Sequence, residues 1–209
     1  MSWSELINAF VVIFVVLDPL GVAVLFGAMA HDVPTPARRH MARKGVLLAA
    51  GILLVFSCTG NYLLDALGIS LPAFKIAGGL LLFLLAIDMV FARHSGLRSA
   101  THHEQREAQD KQDLSVFPLA FPLIAGPGAI TTILLLLGSG KDGNFYFMDI
   151  IGLLALVLLL TYWSLLATAS ITRLLGETGI NVIDRLLGVI LSALAVQYVI
   201  DGIHASFRI

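Results

Sequence analysis

Cysteine occurs once in this chain, as Cys58 inside an apolar run, so neither an intrachain disulfide nor a cysteine-based metal cage can form. Charge is scarce too: 13% of residues are Asp, Glu, Lys or Arg, where a soluble domain carries about 25%. The net charge of −1 says nothing of partners, since the placement of Lys and Arg matters more here, and no nucleic-acid partner is expected. No Walker-type loop is present, so ATP cannot act directly. The apolar stretches also lack paired acids, a metal set or a Ser–His pair, which argues against an enzyme and implies no cofactor. Five of the six histidines fall in polar connections or beside them, and His204 closes the last apolar stretch.

What fills the chain is apolar surface: 58% of its 209 residues are hydrophobic and the mean hydropathy is +0.91. An all-α, polytopic membrane protein follows. Since a span needs about 20 apolar residues, six are expected, at about 6–29, 45–64, 72–91, 114–137, 147–171 and 182–203. Ala28-Met29-Ala30 mimics a signal-peptide cleavage site, but the leader has no basic residue and Asp18-Pro19 interrupts the apolar core. The segment therefore reads as a span. Ten of the 13 basic residues fall in the connections after spans one, three and five. The positive-inside rule puts those connections in the cytoplasm and both termini on the periplasmic side.

The first and fourth spans are broken. Asp18-Pro19-Leu20-Gly21 interrupts one, and Pro118, Pro122, Gly126, Pro127 and Gly128 interrupt the other. Proline removes a backbone donor and clashes with the preceding turn. Asp followed by Pro also reads as an N-cap and first helical residue, so a second half-helix can begin there. Sliding the chain on itself by 108–109 residues lays Asp18 on Gly126, Gly79-Leu80-Leu81 on Gly188-Val189-Ile190, and Asp88 near Gln197. Repeats of three spans each must be inverted, and paired broken helices in such repeats point to a transport site. The expected organisation is a first three-helix repeat (1–93), a cytoplasmic linker (94–113) and a second, inverted repeat (114–209). Two proline kinks that merely shape helix packing are the alternative.

These residues bring out a resemblance. Leu17-Asp18-Pro19-Leu20-Gly21, Phe121-Pro122-Leu123-Ile124-Ala125-Gly126-Pro127-Gly128-Ala129-Ile130, Gly176-Glu177-Thr178-Gly179-Ile180-Asn181, and Gln197 with Asp201-Gly202-Ile203 resemble the MarC family of bacterial inner-membrane proteins. The family is also known as the neutral amino acid transporter family. The resemblance implies inverted three-span repeats in an inner membrane and, for some members, transport of glycine, alanine and similar small amino acids. The chain departs from the family at Val22 and Val24, where Asn and Pro are usual, which tilts the expected substrate toward something more apolar.

A helix N-terminus presents unpaired N–H groups and attracts carboxylates. Gly126, Pro127, Gly128 and Ala129 are therefore expected to hold a substrate carboxylate, with Asp18, Pro19 and Gly21 facing its ammonium; the alternative for Asp18 is a plain helix cap. Thr131 and Thr132 follow within the next turn and either touch substrate or bond back to their own helix. Asp88 and Gln197 suggest coupling to a proton or Na⁺, or else simple interfacial placement. Lys75, Asp184, Arg185 and Asp201 read as interfacial anchors, and Gly78, Gly79 and Gly188 as points of close helix approach. Two soluble-protein motifs carry no weight. Gly138–Gly143 spells GxGxxG after a span rather than a strand, and His102-His103-Glu104 sits in the linker. Secondary transport by alternating access fits best, ahead of a channel or exporter for another small polar metabolite, or a membrane protein that transports nothing.

Overall fold

The computed structural model describes residues 1–91, 113–138 and 144–207, and all regular structure among them is helical. The linker histidines and most of the GxGxxG stretch lie outside the described residues. Eight helices follow in order: α1 (Trp3–Leu17), α2 (Pro19–Met29), α3 (Thr35–Ala66), α4 (Leu71–Val90), α5 (Ser115–Ile124), α6 (Pro127–Leu137), α7 (Asn144–Leu166) and α8 (Thr168–Phe207). Five stretches among the described residues are long and apolar enough to cross a membrane, and the bent α5–α6 pair makes a sixth.

The helices start and stop where side chains permit. Ser70 caps α4, its hydroxyl accepting from the Ala73 N–H at 3.3 Å. At the end of α3, Gly68 takes φ +67°, a left-handed conformation that closes the helix. Ile69 N–H then reaches back to Leu64 O at 2.9 Å. The connection expected around 172–181 is mostly helical. Only Gly176, at φ 64° and ψ 171°, leaves the helical region inside α8, so a short helix turns there directly into the last span.

The α1–α2 span is the interior of the molecule. Two-thirds of its most apolar window (67%) is buried by protein, against 22% for α3. α7 packs against α1 and α2, α3 against α5, α6 and α7, and α4 against α6 and α8. Ile13, Leu17 and Phe26 are fully enclosed, whereas Leu47, Val55 and Leu84 are exposed. An outer surface of this kind faces lipid. Because lipid tails are as apolar as leucine, close backbone approach and interhelical hydrogen bonds hold such helices together.

Glycines provide the close approach. A Cβ on Gly79 of α4 would lie 2.7 Å from Ala195 O and 2.7 Å from Val199 Cγ2 of α8, and one on Gly188 would lie 3.0 Å from both Val90 Cγ2 and Val90 N. On Gly202 it would lie 2.8 Å from Pro72 O. These pairings make α4 and α8 antiparallel. Gly78 faces a different neighbour, the Thr131 methyl of α6. Elsewhere, Gly60 of α3 admits the Leu134 side chain of α6, and Gly27 of α2 admits the Thr168 methyl. The Thr168 hydroxyl reaches Ala23 O at 3.2 Å, fastening the α7–α8 junction to α2.

Candidate functional site

The first break is a single residue wide. Asp18 adopts φ 47° and ψ 66°, a left-handed conformation that Asp tolerates better than most side chains. Its N–H still bonds Phe14 O at 2.9 Å, ending α1, while its own carbonyl accepts from Val22 N–H at 3.0 Å, beginning α2. Asp18 as a whole is 1% exposed, and its Oδ1 accepts from the Gly21 N–H at 3.1 Å. Gly21 is required for that cap, since a Cβ there would run into the Asp18 carboxylate. Asp18 thus interrupts the hydrogen-bond ladder without ending the span, and α1 and α2 run on as one 27-residue stretch.

The second break is larger. α5 is interrupted twice, at Phe117 (φ −130°, ψ 130°) and Phe121 (φ −135°, ψ 130°). Each of these precedes a cis proline, Pro118 or Pro122. Widened turns bridge the interruptions: Leu119 N–H reaches Leu114 O at 3.2 Å, and Ala125 N–H reaches Ala120 O at 2.9 Å. α6 then leaves at 50° to α5. Gly126 is its N-cap residue and provides no side-chain cap. Any Cβ at Gly126 would collide with Pro122 O, so this sharp corner excludes the side chains that normally cap helices.

The start of α5 is anchored from outside the spans. Asp113 accepts from Ser115 N–H at 3.0 Å and from Lys44 Nζ at 2.6 Å. The Lys44 ammonium, helped by the Ser115 hydroxyl, lowers the Asp113 pKa from 3.8 to about 2. One residue on from Lys44, Gly45 lets α3 approach the Ser115 carbonyl.

A hollow of about 30 Å³ opens at the α6 N-terminus, walled by Val16, Leu81, Leu85, Pro122 and the Gly126–Ala129 backbone. That is room for one or two waters. The first N–H groups of a helix have no intrahelical acceptor; Pro127 has none to offer, which leaves Gly128 and Ala129 as the bare donors on this wall. The positive end of α6 adds to them. Across Pro127 lies a larger, open hollow of about 640 Å³ between α3, α4, α5 and α6. Its lining is apolar apart from Thr131, and it includes Phe56, Leu64, Phe121 and Leu134. Pro127 borders both hollows.

The expected site residues therefore separate into groups. Gly126, Pro127, Gly128 and Ala129 line the small hollow, and Pro127 and Thr131 line the large one. Asp18, Pro19 and Gly21 are buried and line neither hollow. α1 meets the α6 break through Val16, whose Cγ1 would lie 3.9 Å from a Cβ on Gly128. Thr132 is fully buried, and its hydroxyl has no hydrogen-bond partner. Asp88 and Gln197 sit at different levels of the α4–α8 pair, because residue 79, nine positions before Asp88, is the one level with 195–199. Gln197 Nε2 donates to Asp201 Oδ1 at 2.7 Å, and one oxygen of Asp88 is buried without a partner. Sequence reasoning missed Val16, Leu81 and Leu85 as walls, since nothing separates them from the other apolar residues of their spans.

Residues 3–207 match the MarC family of integral membrane proteins. A UPF0056 membrane protein of Methanocaldococcus jannaschii is 38% identical over 208 residues, covering 99% of both chains. UPF0056 membrane protein YvbG of Bacillus subtilis is 32% identical over 100% of this chain and 99% of its own. UPF0056 inner membrane protein YhgN of Escherichia coli K12 is 34% identical over 96% of this chain and 97% of its own. No solved structure matches the chain.

Proposed function

The chain belongs to the MarC family of integral membrane proteins, and from that premise we propose that it is a secondary transporter of small neutral amino acids of the glycine and alanine type. The observation that carries this reading is the uncapped N-terminus of α6, which turns two bare N–H groups toward a small hollow. A substrate carboxylate would accept from Gly128 and Ala129 N–H, with the α6 dipole adding to the attraction. The glycines leave space for a small substrate, and Leu81, Leu85 and Val16 disfavour a large polar side chain.

Asp18 takes the ammonium in this scheme. In the present conformation its carboxylate is closed over Gly21, and the hollow has room only for water, so the conformation is occluded. A substrate enters when the α1–α2 and α5–α6 pairs move apart, and the Thr131-lined hollow beside Pro127 is the route to the break. A proton or Na⁺ gradient would drive the cycle. An inverted repeat provides its two faces, and the symmetric contacts between α4 and α8 support that arrangement. By the distribution of basic residues and by likeness to an inner membrane protein of E. coli, the chain sits in the inner membrane with both termini on the periplasmic side.

Counterflow in proteoliposomes tests the reading, with labelled glycine, alanine and larger neutral amino acids. Saturable exchange that falls as the side chain grows is expected. Non-saturable flux would identify a channel, and no flux of any amino acid would end the proposal.

A further inference from the structure

A third hollow lies away from both breaks, between α3 and α7, with a volume of about 360 Å³. Arg43, Leu47 and Leu54 line it from α3, and Ile151, Ala155 and Tyr162 line it from α7. α3 and α7 run antiparallel, because α2 turns into α3 within Ala30–Pro34 while Thr168, just past α7, bonds to Ala23 of α2. Arg43 and Tyr162 therefore share one end of the groove, and Leu54 and Ile151 the other. From Arg43 to Leu54 the groove is about 16 Å long at 1.5 Å per residue. The hydrocarbon core is about 30 Å thick, so the groove is one leaflet deep.

Its chemistry follows the same axis. Leu47, Leu54 and Leu159 are exposed, so the groove opens sideways to the bilayer. At its polar end Arg43 is exposed and, among the described residues, pairs with no carboxylate. Arg39, one turn earlier on the same helix face, is also exposed. A second copy of the chain is a poor occupant, since a twofold along the membrane normal would set these arginines opposite their own copies at the same depth.

We propose that the α3–α7 groove is a binding site for an anionic phospholipid, one acyl chain lying along α3 and α7 and the headgroup phosphate bonded to Arg43 and Arg39. The planar guanidinium suits a phosphate oxygen pair, and basic pockets between spans on the cytoplasmic side bind such headgroups.

Native mass spectrometry of the delipidated full-length protein tests this, with phosphatidylglycerol and phosphatidylcholine of identical chains added in turn. The wild type should retain one phosphatidylglycerol at least fivefold more strongly than phosphatidylcholine. Arg43→Gln should reduce that preference below twofold. Ala155→Phe, a change at an exposed position that fills the groove and keeps every charge, should do the same, and Leu47→Trp blocks it from the facing helix. Melting temperatures identify any variant that fails to fold. Equal retention of both lipids by the wild type would overturn the proposal. So would a preference that survives both blocking variants, which would mean binding by surface charge alone. A dimer dispersed by Ala155→Phe would assign the groove to a second copy.

Discussion

Gly79 of α4 packs against Val199 of α8, and Gly188 of α8 packs against Val90 of α4. Positions 79 and 188, like 90 and 199, lie 109 apart, one more than the 108 at which the two helix breaks align. A twofold axis in the membrane plane generates such reciprocal contacts. The contact of Gly60 with Leu134 answers that of Thr168 with Gly27 at offsets of 108 and 107.

If the two glycines are equivalent, valine at either should cost the same. Gly79→Val and Gly188→Val each force branched carbons against a backbone already within 3.1 Å of where a Cβ would sit. Overpacking of this kind costs about 1–3 kcal/mol. Thermal melts in detergent should fall by similar amounts for both variants. A melt lowered by only one of them would contradict the equivalence.

Asp18 combines a cap, a left-handed backbone and a charge, and two substitutions separate them. Asn keeps the first two, so Asp18→Asn should melt close to the wild type. Asp18→Ala loses the Gly21 hydrogen bond as well as a residue suited to φ 47°; loss of such a cap costs about 1–2 kcal/mol. Transport should fall at least tenfold in both variants. Full exchange by Asp18→Asn, with unchanged pH dependence, would reduce Asp18 to a structural cap.

Thr132 buries a hydroxyl with no partner, a cost that valine would remove. Thr132→Val should be as stable as the wild type, or more stable by about 1 kcal/mol. If the hydroxyl meets substrate as the proposed transport cycle requires, exchange should nevertheless fall severalfold. Wild-type exchange by Thr132→Val would remove it from the site.

The Lys44–Asp113 pair gives a pH signature. The folded-state pKa of Asp113, about 2, lies below its ordinary value of 3.8. Its contribution is therefore complete above about pH 4 and is lost as pH falls toward 2. Both side chains are partly exposed, so that contribution is at most about 1 kcal/mol and weakens with salt. Melting curves between pH 5 and pH 2 should fall less steeply in Asp113→Asn than in the wild type. Parallel curves would dissociate the pair from the stability of the α5 start.

The sequence makes the spans legible because hydropathy alone sets them, and it makes both breaks legible because proline and glycine in apolar helices have few other uses. The way each break is built was not legible. Asp18 caps within a nearly continuous span, whereas Pro118 and Pro122 rebuild an entire segment around two extended residues. Composition does not separate those outcomes, since the difference arises from what packs on each side. In the sequence Gly176 reads as part of a loop, because a lone left-handed glycine between two helices looks the same as a longer turn. The walls Val16, Leu81 and Leu85 are likewise ordinary span residues until folding brings them together.

The central claim is that the bare α6 N-terminus holds the substrate carboxylate, and Gly128 is where it can be tested without disturbing the fold. A methyl there would lie 3.2 Å from the tips of Leu82 and Leu85, which can yield, and would take up much of the hollow. The decisive measurement is counterflow of labelled glycine by wild type and Gly128→Ala in parallel, with melting temperatures recorded. Saturable exchange by the wild type, at least a tenfold loss in Gly128→Ala and a melt shifted by only a few degrees is the predicted result. Undiminished exchange by Gly128→Ala would contradict it.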